Sequence, residues 1–476
     1  MSDFKSYDVD LHILSPVHIG AGQELDPFSY IIRKDNLLLF DLLKWMNGYE
    51  NKDELNKKMD SEDFVALRSY ISEHFNNDDA ILCSIPVKSR DVMERYRKAV
   101  QDKRSENQAI VNFMTKNEIT KIPYIPGSSI KGSVRTAIAS RFVSEAGVQK
   151  YNKEKYNEKI FGKQVLKNPM KNLKISDINL DPAGSFIYEA KEFSIKPDKT
   201  PTPKGGFEAS ASLCELNSDV SIPLRFILKN FKLFDNIIDL QFIVDTLYKF
   251  YMPKYKDEYK KFYSTSRAKE IQQAMATVNM EAVNLKSNET FIRIGRFSHV
   301  ECVTLDKIRD PKTRKKNGEF LPWGKTRTLA NGLYPFGWVK LEFKNLPANP
   351  RQDNDWPFSA EAIEKDLEIR KQAMLRAEQQ KKDREEKQKA AQKRKAELEA
   401  MSPEERMIEE IKDPRVTENR VVSIYHALNS FPEDKKYMLA EELRAYWQKI
   451  NKWKKKKCTK KQWKKVLAIK AILEDN

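Results

Sequence analysis

The sequence predicts an α+β protein whose 476 residues open with two mixed halves and close with helix alone. Three observations predict it. Strand-like alternation and helical spacing interchange through about the first 350 residues. Between Glu361 and Glu399 the chain is almost entirely Glu, Lys, Arg, Gln and Ala, with no Gly or Pro. Beyond Ser402, four segments carry amphipathic helical spacing. At 40% hydrophobic and 10% aromatic residues, the chain can bury full cores, and its length suggests two to three domains.

Each element has its own reason. "YDVDLHILSPVHIGAG" alternates through Val9, Leu11 and Ile13 before breaking at Pro16, which predicts a strand feeding a glycine turn. "FSYIIRKDNLLLFDL" reads as a hairpin with Lys34 to Asn36 at its tip. From Asp41 to about Asn117 the spacing lengthens to three and four, predicting helices set beside that sheet. Strands return in "LKISDINL", "SFIYEAKEFSI", "GGFEASASLCEL" and "SIPLRFIL". The stretch from Asp235 reads as a helix pair, and "TFIRIGRF" and "GLYPFGWVKLEF" as a last strand set. The two halves join in a lysine-rich stretch at 143–172. The polar segment after Glu361 predicts one long exposed helix, too polar to fold back on a core. Ser402 as N-cap, Pro403 at the first helical position and acids after it start a small helical module.

Charge narrows the function. Lys and Arg total 86 against 69 Asp and Glu, a net charge of +17 with a pI near 9.3, which points to a polyanionic partner. No apolar run approaches the ~20 residues of a membrane span, and "MSDFKSYDVDLHILSP" lacks signal-peptide order, so a cytoplasmic protein without membrane contact is expected. Cys83, Cys214, Cys302 and Cys458 lie far apart and are expected as free thiols. None of the five histidines falls in a metal-binding spacing; His12 and His18, six apart, are a weak pair. No phosphate loop or nucleophile elbow is present, Asp177 stands as a lone acid, and neither catalytic residues, metal nor cofactor is expected.

The strongest candidate site is "PYIPGSSIKGSVRTAIASRF", residues 123–142. With Ser128 or Ser129 as cap, Ile130, Val134, Ile138 and Phe142 share one face, while Lys131 and Arg135 sit together one step round. Free amides, two hydroxyls and two cations then converge where a phosphate would be held. Gly132, unfavourable inside a helix, fits if a backbone must come close. The plainer alternative is a capped helix with solvated charges. A second constellation runs from Ile292 to Phe343. Arg296, Phe297, His299, Trp323, Lys325 and Arg327 interleave cations and aromatics as a single-strand surface would, beside a basic excursion at Lys312 to Lys316; a mobile surface hairpin is the alternative. A third run, "KWKKKKCTKKQWKK", holds nine lysines and no acid.

Five of these stretches carry a resemblance. "LSPVHIGAG", "YIPGSSIKGSVRTAI", "ISD", "IRIGRFSHVE" and "YPFGWVKLEF" stand in the order seen in the RAMP superfamily of CRISPR proteins, over residues 8 to 344. The set resembles the family of fifth subunits of type III-A Csm effector complexes. The resemblance implies two ferredoxin-like, RNA-recognition-type βαββαβ modules. These would be residues 1–150, with a helical insertion at about 41–117, and residues 151–350. A linker and charged helix (351–400) and a basic helical module (401–476) would follow. It implies a non-catalytic subunit that caps the 3′ end of the crRNA, contributes to its maturation and to antiviral defence, and contacts target RNA and the adjacent backbone subunit. It assigns RNA contact to Ser128, Ser129, Lys131, Gly132 and Arg135, to His18, and to Arg293, Arg296, Phe297, His299, Lys325 and Arg327. Many relatives have a glycine-rich loop where this chain has "RFSHVE". The rival within the superfamily is an endoribonuclease or backbone subunit that cuts through a loop aspartate. A basic DNA-binding scaffold would explain the charge but not the motif order.

Overall fold

The computed structural model describes residues 4–474 other than 102–108, 119–121, 149–155, 181–183, 197–198, 214–220, 230, 307, 309–323, 325, 354 and 415. The chain divides into two compact units, Met1–Lys371 and Gln372–Asn476.

The first unit is organised by a five-stranded antiparallel sheet. Its elements are β1 (Lys5–Ile13), β2 (Leu173–Ile175), β3 (Ile222–Leu228), β4 (Glu289–Arg293) and β5 (Trp338–Phe343), with helices α1 (Gly127–Arg141) and α2 (Leu240–Glu258). The strands lie in the order β4-β5-β1-β3-β2. Apart from β4 at the edge, the path β1-α1-β2-β3-α2-β5 with this order is one ferredoxin-like βαββαβ unit. Val9 and Leu11 of β1 are fully buried, and the alternation that predicted the strand also set its inward face. Ile130, Val134, Ile138 and Phe142 of α1 are all fully buried, as their spacing predicted. In α2, Ile243, Val244, Leu247 and Tyr251 do the same. Residues 235–265 therefore hold one long helix through Pro253 rather than a pair.

A six-stranded second sheet runs in the order Tyr334–Pro335, Thr326–Ala330, Ser185–Lys196, Lys199–Leu213, Val111–Met114 and Gly20–Glu24. Lys199–Leu213 runs parallel to Val111–Met114. This differs from two consecutive ferredoxin-like modules. β1 pairs on both sides with strands from beyond residue 220, and the second sheet is built from the connections of the first. Alternation says which face of a strand is buried and is silent on its partner.

The hairpin at Tyr30–Arg33 and Asn36–Phe40 turns through Lys34 and Asp35 with φ of 48° and 63°. Ile81–Pro86 adds a third strand to it inside the stretch expected to be helical. In the second unit, helices Pro403–Lys412, Glu418–His426, Glu433–Lys449 and Lys460–Glu474 enclose Val421, Leu439, Leu443, Trp447, Val466 and Ile469. Ser402 and Glu405 form the capping box. The long helix is α3, Ala360–Ala400. Its start departs from the expectation of a helix too polar to dock. Ile363 is 2% exposed, and Arg370 donates to Ala274 O and Thr277 Oγ1 at 3.2 and 3.1 Å. No helix among the described residues is long and apolar enough to cross a membrane.

Candidate nucleic-acid interface

The start of α1 is placed by a backbone collision that only glycine avoids. A Cβ on Gly127 would lie 2.1 Å from Ile175 O of β2, so Gly127 rather than Gly132 is where backbones meet; around Gly132 there is open space. The cap is also not the predicted one. Neither Ser128 nor Ser129 caps α1; the Asp177 carboxylate, one residue past Ser176, accepts the Gly127 N–H at 2.7 Å. Both serine hydroxyls are therefore left free of a capping role, with Ser128 exposed and Ser129 half-buried.

Beside them stands a cluster of cations. Lys131 is half-buried and has no acidic partner among the described residues. Burial, then the neighbouring charges of Arg135 and Lys174, hold its ammonium below the usual lysine value. Arg135 donates to Asn157 Oδ1 at 2.7 Å and lies 4.7 Å over the Phe161 ring, so its position is fixed. Lys174 is exposed on the edge strand β2, and its Nζ lies 5.0 Å from the ring of Phe4, with that of Lys229 at 5.2 Å. Phe4, Lys174 and Lys229 escaped the sequence reading because β2 and the end of β3 converge on α1 only through the sheet order. An aromatic face ringed by cations is the arrangement that holds stacked bases and phosphates together.

The second constellation divides. Arg293 and Arg327 are 2% and 1% exposed, out of reach of any RNA. Arg293 Nη1 lies 2.7 Å from Glu258 Oε2 and its Nε donates to Phe336 O at 2.8 Å. Arg327 reaches Glu258 Oε1 at 3.0 Å and Glu301 Oε1 at 3.4 Å. Two arginines and two glutamates thus neutralise one another inside the body. His299 is partly buried, and its Nε2 accepts from the Thr328 N–H at 3.4 Å. Burial, then Arg293 and Arg327, depress its pKa well below the usual histidine value. His18 is fully buried, 6.2 Å from the Phe297 ring, and Phe297 in turn packs on Phe336 at 4.9 Å. His18, Arg293 and Arg327 are therefore corrected from RNA contacts to structural residues, while Phe297 and His299 are half-buried. Arg296 stays exposed. Lys325, Trp323, Lys312 to Lys316 and Cys214 lie outside the described residues.

These buried residues join the distant motifs. Arg296 N–H donates to His18 O at 2.7 Å, and Gly337 N–H to Pro16 O at 2.8 Å. Gly295, at φ 81°, would put a Cβ 2.4 Å from His18 O, and Gly337, at φ 90°, one 2.4 Å from Ile294 O. Ser133 Oγ of α1 donates to Arg293 O at 3.0 Å, bringing the α1 site alongside the loop that follows β4. Asp10, His12 and Glu342 also bring ligand-type atoms together, but Lys344 bridges Asp10 and Glu342 at 3.1 and 2.9 Å.

Fold and surface define an α+β protein built on one ferredoxin-like unit, with glycine loops locked to its central strand and a basic edge at α1. The model of the RAMP superfamily matches residues 10–474, and the chain belongs to that superfamily. It is 25% identical over 230 residues to the CRISPR system protein Csm5 of Methanocaldococcus jannaschii. That match spans 43% of this chain and 52% of the relative, about half the relative's length. A chain of the solved Csm–crRNA–target RNA ternary complex of a type III-A CRISPR–Cas system is 20% identical with a TM-score of 0.52, over 71% of this chain and all of that one. The crystal structure of T. onnurineus Csm5 is 17% identical with a TM-score of 0.45, over 69% and 99%.

Proposed function

We propose that the chain is a non-catalytic RNA-binding subunit of a type III-A Csm effector complex, seated at the 3′ end of the crRNA, near the target RNA and against the adjacent backbone subunit. The observation that carries this reading is the α1 edge. Lys131, Arg135 and Lys174 stand together beside two serine hydroxyls, and Lys131 has no acidic partner among the described residues. Such a cluster is stabilised by a phosphate. Superfamily membership and the likeness to Csm5 support the setting. The non-catalytic reading is supported by Asp177, the lone acid of this stretch, whose carboxylate accepts the Gly127 N–H.

The test is a salt titration of binding to a crRNA-sequence single strand. Lys131→Ala with Lys174→Ala should weaken binding and lower the slope of log affinity against log salt by about 1.4, at roughly 0.7 for each phosphate no longer neutralised. An unchanged slope sinks the site. Cutting of labelled crRNA or target by the purified chain with divalent metal would replace this reading with the endoribonuclease.

A further inference from the structure

We propose that the lysine edge of the C-terminal helical module is a second nucleic-acid contact, one that holds phosphate backbone without regard to base sequence. It goes beyond the α1 site and does not rest on it. Residues 452–465 contain nine lysines and no acid. Lys452 is bound by Glu418, and Lys465 lies 5.5 Å from the Tyr425 ring. The other seven, Lys454 to Lys457, Lys460, Lys461 and Lys464, are exposed and have no acidic partner among the described residues. Elsewhere in the module six of the acids are taken: Glu405 by Lys435, Glu409 and Glu442 by Lys412, Glu410 by Arg420, Glu433 by Lys436 and Glu441 by Arg444. Positive charge is thus concentrated on one edge.

Its placement runs against the helix it sits on. Lys460 and Lys461 occupy the first turn of Lys460–Glu474, and that turn contains no acid. The positive end of the helix dipole favours acids there and repels cations. A local rule broken without internal compensation marks a surface kept for something outside the molecule. The chemistry of that partner follows from what the edge lacks. No exposed residue from Lys454 to Lys464 is apolar, and Trp453 and Trp463 are half-buried against the module's core. A protein partner needs a desolvated apolar or aromatic centre, whereas a phosphate backbone needs only closely spaced cations. With no fully exposed aromatic ring on this edge, phosphate contact rather than base reading is expected.

The experiment uses the full chain and fluorescein-labelled 20-nucleotide single strands, one of uridine only and one of mixed sequence, titrated from 50 to 300 mM salt. Lys456→Glu, Lys460→Glu and Lys461→Glu together should lower the salt slope by about 2 and weaken binding at 100 mM salt by roughly tenfold or more, equally for both strands. The same variant should keep or raise the melting temperature of the module, since acids now stand in the first turn; weakened binding with stability retained is the signature expected. A Lys→Gln triple variant should show a smaller loss in the same direction. The proposal is overturned by an unchanged slope, by a loss confined to one sequence, or by poly-glutamate competing as well as RNA at equal charge, which would make the partner an acidic protein. Repeating the titration in the Lys131→Ala, Lys174→Ala background separates the two sites: independent losses add.

Discussion

His299 takes a φ of 59° and Phe297 one of 66°, left-handed backbone at two bulky residues in the loop where the resemblance to the superfamily implies a glycine-rich turn. The loop keeps a glycine-like path and holds it with side chains packed inward. This inversion was invisible in the sequence. "TFIRIGRF" and "GKTRTL" displayed the residue types of an RNA surface, while the acid that claims both Arg293 and Arg327, Glu258, lies 35 and 69 positions before them. Residue type reports what a side chain can do, not which way it faces. The partly buried imidazole of His299 has a measurable consequence. Its folded pKa lies below the unfolded value near 6.5, so the unfolded chain binds the extra proton, and stability falls as pH drops below about 6.5 toward the depressed folded value. His299→Asn, with a residue that tolerates left-handed backbone, should flatten that part of the profile. Urea midpoints of both proteins between pH 7.5 and 5 check this: the difference should approach 1.4 kcal/mol per pH unit at most. Parallel profiles would mean that His299 titrates freely.

At the scale of the element, α1 shows how far spacing carries and where it stops. The buried face through Ile130, Val134, Ile138 and Phe142 was legible, because 3.6-residue periodicity is a property of the sequence itself. The cap and the essential glycine were not, because both are set by Ile175, Ser176 and Asp177 some fifty residues on. Two glycine substitutions separate the roles. Gly127→Ala forces a Cβ into the Ile175 carbonyl and should cost about 2 kcal/mol or more, or prevent folding. Gly132→Ala meets nothing and should stabilise the helix by about 0.5–1 kcal/mol. Thermal melts decide this. If Gly132→Ala also weakens RNA binding while raising the melting temperature, the ligand itself comes close at that position.

For the whole molecule, the C-terminal helices were legible from their amphipathic spacing, the first also from its start at Ser402, Pro403 and Glu405. The sheet order was not, since it joins strands more than 300 residues apart. The place to cut the chain also follows from packing. Trp356 and Phe358 stack at 5.5 Å, Phe358 lies 4.8 Å from Tyr259, and Ile363 and Arg370 complete the contact. A chain ending at Lys371 should melt like the first unit of the full protein. One ending at residue 355 should be weaker by roughly 3 kcal/mol, the scale of losing a buried Ile or Phe; equal stability of the two would show that the start of α3 adds nothing. The central position of β1 sets a timetable for synthesis. Ile13 is paired to Val339, so β1, once it leaves the ribosome, waits for one of the last strands of its unit. At about 5–20 residues per second, that wait is roughly 15–70 s. Throughout it, an apolar strand edge stands open in the nascent chain, and anything able to shield such an edge, a chaperone or a neighbouring protein, has that interval in which to act.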